Sequence, residues 1–176
     1  MDRNESFREF VAAHQQSLMR TAYLLAGDAH RAEDLLQAVL LKVLGRWSRL
    51  SRIDNPEAYA RKALLNQHIS WRRRRLRGGA ELPSAAPPER SYSSEDATVV
   101  RLVMRQALMR LPPRQRAVIV LRFYEDRTER ETAELLNCSI GTVKSQAHHA
   151  LARLRVLAPE LAPRFTALDD IQEAHR

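Results

Sequence analysis

Residues 127–157 read RTERETAELLNCSIGTVKSQAHHALARLRVL, and two helices with a turn between them can be followed through them one residue at a time. Thr128 and Glu131, three apart, have the capping-box pattern, in which each side chain satisfies a backbone amide of the other at a helix start. Ala133 and Leu136 give this helix a buried face. The pattern breaks at Asn137-Cys138-Ser139: Asn tolerates the left-handed conformation that stops a helix, and Ser139 is placed to cap the next one. On the second helix Val143, Ala147, Ala150, Leu151 and Leu154 share one stripe when successive residues are turned by about 100°. Ser145, His148 and His149 face away, flanked by Thr142, Lys144 and Gln146, a surface of hydrogen-bonding groups with almost no acid. Such a face suits a helix lying in a major groove, with base readers at its centre and phosphate contacts beside them. An ordinary helical hairpin with a solvated face has the same spacing.

The 176 residues carry 29 Lys and Arg against 21 Asp and Glu, a formal net charge of +8. Residues 1–77 hold 15 basic and 8 acidic groups, residues 99–157 hold 11 and 5, and an acidic connector lies between them. Two basic blocks fit a polyanion bound at two places, where each neutralised phosphate releases counterions. No Lys-rich amphipathic helix with a bulky apolar face suggests a membrane surface. Helix formers dominate, Gly is scarce and no segment alternates with period two. The sequence therefore predicts an all-α protein: two small helical domains joined by a flexible linker, the C-terminal one a helix-turn-helix. Cys138 is the single cysteine, so no intramolecular disulfide is available. Neither a signal core in MDRNESF nor a run of about 20 apolar residues is present, and a cytoplasmic protein is expected.

Taken in order, Phe7, Phe10, Val11, His14, Leu18, Ala22 and Leu25 predict a first amphipathic helix ending at Gly27-Asp28. His14 on that face suits a core or boundary position, since no partner stands at metal-ligand spacing. From Ala29 to Trp47, Leu35, Leu36, Val39, Leu40, Val43, Leu44 and Trp47 form one broad stripe that Ala38 and Leu41 widen; such a helix is covered on two sides, by its own domain or by a partner. Asn55-Pro56-Glu57 opens a helix to about Arg75, with Asn55 as cap and Pro56 where a missing amide costs nothing. It interleaves Tyr59, Asn66, His68 and Trp71 with Arg61, Lys62 and Arg72–Arg75, a mixture suited to single strands, which are held by stacking and by basic groups. Trp71 fits a core position equally well. Residues 78–97, GGAELPSAAPPERSYSSEDA, predict a linker. Thr98 to Leu111 predicts a further helix, which Pro112-Pro113 breaks before another runs through Tyr124. Residues 158–176 read as a Pro-containing, slightly acidic tail with no legible role.

Several motifs together carry a family resemblance. Leu111-Pro112-Pro113-Arg114-Gln115-Arg116, the run from Val118 to Tyr124, Glu131-Thr132-Ala133, Gly141-Thr142-Val143-Lys144-Ser145 and Leu151-Ala152-Arg153-Leu154-Arg155 resemble the DNA-binding domain of an extracytoplasmic-function RNA polymerase sigma factor, of the SigE type common in actinobacteria. Ala32-Glu33-Asp34-Leu35-Leu36-Gln37 is similar to the sigma-factor segment that docks on the clamp helices of the largest polymerase subunit, with a departure from the common pattern at Ala38. The resemblance spans Phe7 to about Leu157. It implies a sigma region 2 over 1–77, a linker over 78–97, a region 4 over 98–157 and a tail over 158–176.

By position, the resemblance puts Asp34, Gln37, Leu41 and Lys42 on core polymerase. Tyr59, Arg61, Lys62, Asn66, His68, Trp71, Arg72, Arg73 and Arg74 fall on the minus-10 element, where one base leaves the stack. Extruding a base costs a few kcal/mol, and stacking returns about 1 to 3 kcal/mol per base. Thr142, Lys144, Ser145, Gln146, His148, His149 and Arg153 fall on the minus-35 element. Gln146 and His149 stand where many relatives carry Arg, which predicts an altered preference, because Arg takes guanine while Gln prefers adenine. The implied partners are core RNA polymerase (the clamp helices, and the flap of the second-largest subunit), promoter DNA and an anti-sigma factor. No cofactor, metal, small-molecule substrate or catalytic residue is implied.

Two rival readings remain at this stage. A LuxR-type regulator has a similar Thr-Val-Lys recognition helix but usually carries an α/β domain upstream, of which residues 7–75 give no sign. A metal-dependent nuclease using His68, His148 or His149 lacks the accompanying carboxylates, and adjacent helical histidines point about 100° apart.

Overall fold

A computed structural model describes residues 3–52, 55–77 and 95–174. The chain divides into two compact units, Met1–Leu82 and Pro83–Arg176. Every regular element among the described residues is helical.

The first unit contains α1 (Arg3–Ala26), α2 (Ala29–Gly45), the short α3 (Trp47–Leu50) and α4 (Pro56–Arg77). Gly27 ends α1 at φ 86°, in the left-handed region that glycine enters without penalty. Asp28 then caps α2, accepting from the Arg31 amide at 2.9 Å. Asn55 caps α4 as its position predicts, accepting from the Ala58 amide at 2.9 Å. The apolar stripes meet in one core of Leu18, Ala22 and Leu25 from α1, Leu35, Leu36, Val39 and Val43 from α2, and Ala60, Leu64 and Leu65 from α4. Trp47 closes one end, its ring edge-on to Phe7 at 5.3 Å and its indole N–H donating to Ser6 at 2.7 Å. The helix expected to reach Trp47 ends two residues earlier, and α3 carries Trp47 and Leu50 into the core.

The first described helix of the second unit, α5 (Glu95–Met109), starts three residues earlier than the spacing predicts. Residues 95–97 of the expected linker are therefore its first turn, and residues 78–94 lie outside the described residues. Pro112 and Pro113 have no amide to offer the carbonyls at the end of α5. Arg116 fills that role from α6 (Pro113–Ile119): fully buried, its Nε donates to the Leu108 carbonyl at 2.7 Å and its Nη2 to those of Met109 and Leu111 at 2.6 and 3.2 Å. The helix expected to continue regularly to Tyr124 widens instead into a π-helical turn over Val120–Tyr124, closed by the Glu125 amide on the Val120 carbonyl at 3.0 Å.

Next come α7 (Glu129–Leu136) and α8 (Ile140–Leu157). Beyond them, the C-terminal stretch whose role the sequence left illegible is largely helical. A 3-10 turn, Pro159–Leu161, leads into α9 (Ala162–Ala174), which packs on α8 and buries Ala158, Leu161 and Phe165. Pro159 and Pro163 sit in the first turns of these two helices, where proline is tolerated.

Candidate nucleic-acid interface

The α7–turn–α8 geometry follows from local chemistry. The Thr128 amide donates to Glu131 Oε2 at 2.7 Å and the Glu131 amide to Thr128 Oγ1 at 3.1 Å, a complete capping box. These bonds from Thr128, the backbone one foremost, hold the Glu131 carboxyl below its usual range. Asn137 takes the left-handed conformation, φ 51° and ψ 55°, and the Cys138 amide donates back to the Ala133 carbonyl at 3.0 Å. Ser139 Oγ accepts from the Thr142 amide at 3.1 Å and starts α8. Val118, Ala133, Val143 and Ala147 then lock the two helices, with Leu136 and Cys138 against them, so Cys138 serves packing.

This core leaves one face of α8 outward. Ser145, His148, His149 and Arg153 are exposed, and the two imidazoles lie edge to face at 5.9 Å. Gln146 is half-buried beside them. Thr142 is part of the cap, its hydroxyl 2.9 Å from Ser139 Oγ. Lys144 is less open than its position suggested: its ammonium lies 3.5 Å from Glu129 of α7, which brings one carboxylate to the edge of this face. The pair is only partly solvated, so a phosphate at this edge would compete with Glu129 for the ammonium.

A second surface lies on the first unit, where the end of α2 approaches α4. A groove of about 580 Å3 is lined there by Lys42, Gly45 and Arg46 on one side and by Tyr59, Ala63, Asn66, Gln67, Ser70 and Arg74 on the other. Three cations, two amides and two hydroxyls line it with no carboxylate. Lys42 Nζ donates to Gln67 Oε1, Arg74 Nη2 to Ser70 Oγ at 3.1 Å, and Arg46 Nη1 to Tyr59 Oη at 2.5 Å. Tyr59, Asn66 and Arg74 thus line one groove. Lys62 and Arg73 are exposed and flank Asn66 one turn before it and two turns after. Trp71 is half-buried, and the Arg72 side chain lies outside the described residues.

Two residues expected on this surface are inside the fold. Arg61 is buried, with Nη2 at 2.5 Å from Glu57 Oε1 and Nη1 donating to Thr21 Oγ1 at 3.4 Å, so it ties α4 to α1 instead of tracking phosphate. Glu57 also faces His14 at 3.5 Å. His68 is buried on the core side of α4 and offers no ring for base stacking. Both side chains project one turn from core leucines, a direction that an Arg- and His-rich helix hides from composition. Arg46, Gln67 and Ser70 were not singled out from sequence; the four-residue step from Lys42 to Arg46, and the steps from Ala63 through Gln67 and Ser70 to Arg74, are the signals that mark the groove.

On the other side of α2, Asp34, Gln37 and Leu41 are exposed at helical spacing, and Leu41 keeps 69% of its surface in solvent. Lys42, expected with them, is rotated one residue round the helix and faces Gln67 instead. Among the described residues no three His, Cys, Asp or Glu side chains are gathered as a metal site, and no helix is long and apolar enough to cross a membrane.

Residues 10–78 match the Sigma-70 region 2 family and residues 101–154 the Sigma-70 region 4 family. The chain is 40% identical to the RNA polymerase sigma-E factor of Streptomyces coelicolor over 85% of its own length and 84% of that protein's. It is 34% identical to the ECF RNA polymerase sigma factor SigL of Mycobacterium tuberculosis, covering 88% and 89%. Among solved structures it is similar to the sigma factor RpoE of Bartonella quintana, crystallised with the anti-sigma factor NepR, at a TM-score of 0.71 and 27% identity over 87% of this chain and 96% of that one. A region 2 match in place of an α/β domain removes the LuxR-type reading. With both regions matched, and with relatives of this identity aligned over most of its length, the chain belongs to the extracytoplasmic-function family of RNA polymerase sigma factors, the alternative subunits that direct core polymerase to promoters.

Proposed function

We propose that the two basic surfaces divide promoter recognition between them. The groove between α2 and α4, with Lys62 and Arg73 beside it, takes the opened minus-10 strand, and the outward face of α8 reads the duplex minus-35 element. The carboxylate-free groove beside Asn66 carries this reading, because it offers cations for a backbone and amides for a base edge on one rigid helix pair. Asp34, Gln37 and Leu41 dock on the clamp helices of core polymerase, burying an apolar side chain that is otherwise left in water. The second unit meets the flap, and two moderate grips on one chain gain from effective concentration, so the spacing between promoter elements becomes part of specificity.

In this role the protein is an adaptor without catalytic chemistry, acting in the cytoplasm where the polymerase is. An anti-sigma factor is its expected regulator, as in the complex of the Bartonella relative. Co-purification with core polymerase and run-off transcription from a genomic promoter pool test the proposal. Asp34→Arg and Leu41→Asp should each abolish association while leaving helical content unchanged. Full association by both variants would refute the docking face, and absence of any promoter-dependent transcript from the wild-type holoenzyme would refute the division of labour.

A further inference from the structure

We propose that Arg46 is a backbone contact of the groove, its guanidinium gripping a phosphodiester of the single strand whose bases meet Asn66. The inference rests on the minus-10 reading above and adds to it a residue from outside α4. Arg46 stands at the junction of α2 and α3, with φ −113° and ψ 9°, and its exposed side chain reaches across to the start of α4. There Tyr59 holds it twice: the phenol oxygen accepts from Nη1 at 2.5 Å, and the guanidinium carbon lies 5.9 Å from the ring centroid. A long flexible cation is thereby fixed in direction before any ligand arrives, which lowers the ordering cost of binding. One of five N–H donors serves Tyr59, and the remaining fork suits a phosphate.

The surroundings favour an anion. Glu57, an acidic residue near the start of α4, is occupied by Arg61 and His14 on the α1 side of the helix. Gly45, next to Arg46, has nothing within 4 Å of where a Cβ would stand, so the groove wall is open at this point. Lys42, one helical turn back, already holds Gln67 and Arg74 bonds Ser70, so Arg46 is the groove cation held by an aromatic partner. A guanidinium bound to backbone contributes affinity and salt dependence, whereas the exposed amide of Asn66 contributes base preference.

The test uses holoenzyme assembled from the full chain and core polymerase, with promoter fragments recovered by run-off transcription and pre-opened across the minus-10 element. Arg46→Ala should weaken binding alike on all fragments, lower the slope of log affinity against log salt by about 0.7, and leave base preference unchanged. Arg46→Gln, which keeps a hydrogen bond to Tyr59 without the charge, should lower the slope equally and guards against misfolding. Asn66→Ala should instead change the base preference. A wild-type slope in both Arg46 variants, or an altered base preference in either, overturns the assignment of Arg46 while Asn66→Ala still reports on the groove. If Arg46→Ala, Asn66→Ala and Arg73→Ala all bind the opened strand as wild type does, the minus-10 reading itself falls.

Discussion

Replacing Phe165 by alanine tests whether α9 is part of the second unit or an appendage. Phe165 is 1% exposed, packed with Leu161 and Ala158 against the C-terminal half of α8, where Leu151 and Leu154 are fully buried. Truncating a buried phenylalanine removes its transfer free energy and leaves a cavity, together about 3 to 5 kcal/mol where the surroundings cannot collapse. For a unit of this size the smaller figure lowers the melting temperature by about 12 to 24 °C. An internal control is built into the chain, since both tryptophans, Trp47 and Trp71, lie in the first unit. Thermal and urea unfolding of Phe165→Ala followed by helical circular dichroism should show an early transition, while the tryptophan fluorescence midpoint stays at its wild-type value. Arg164→Ala, on the exposed side of α9, should change stability by no more than about 0.5 kcal/mol. A loss below about 1 kcal/mol for Phe165→Ala would show that α9 does not complete the core, because a fully buried ring cannot be removed so cheaply.

Arg61→Met should destabilise the first unit by about 1 to 3 kcal/mol, less than for a fully buried pair because Glu57 is partly solvated, and the salt dependence of promoter binding should stay that of wild type; a reduced slope would return Arg61 to the DNA surface. Changing Gln146 and His149 together to alanine should alter the minus-35 sequence selected from randomised DNA, and an unchanged preference would remove both from base reading. The capping box should make the second unit sensitive to acid. Because Thr128 lowers the Glu131 pKa in the folded chain, the contribution is complete above the ordinary value of 4.5 and is lost as pH falls through the depressed one. Glu131→Gln, which keeps an acceptor but does not titrate, should flatten that part of the stability profile; identical acid limbs in the two proteins would count against the assignment.

Much of the fold follows from neighbours in sequence, because caps and turns are short-range chemistry. Thr128 with Glu131, left-handed Asn137, Ser139, and Asn55 before Pro56 each carry their partner within about four residues, so the helix boundaries they set could be read directly. The stripe from Val143 to Leu154 likewise determined which side of α8 faces solvent, and with it the exposure of Ser145, His148 and His149. What a charged side chain does with its charge is decided by residues far away in the chain. Arg61 turned inward because Thr21 and Ser17 of α1 and Glu57 await it there, Arg116 because the carbonyls of Leu108, Met109 and Leu111 at the end of α5 converge on it, and Lys42 because Gln67 stands across the groove. Arg46 joined the wall of the groove only when Tyr59 was brought beside it from α4. The helices must already be packed before such partners exist, so periodicity along one strand of sequence determined the helices, and tertiary contact alone decided which cations were left facing solvent.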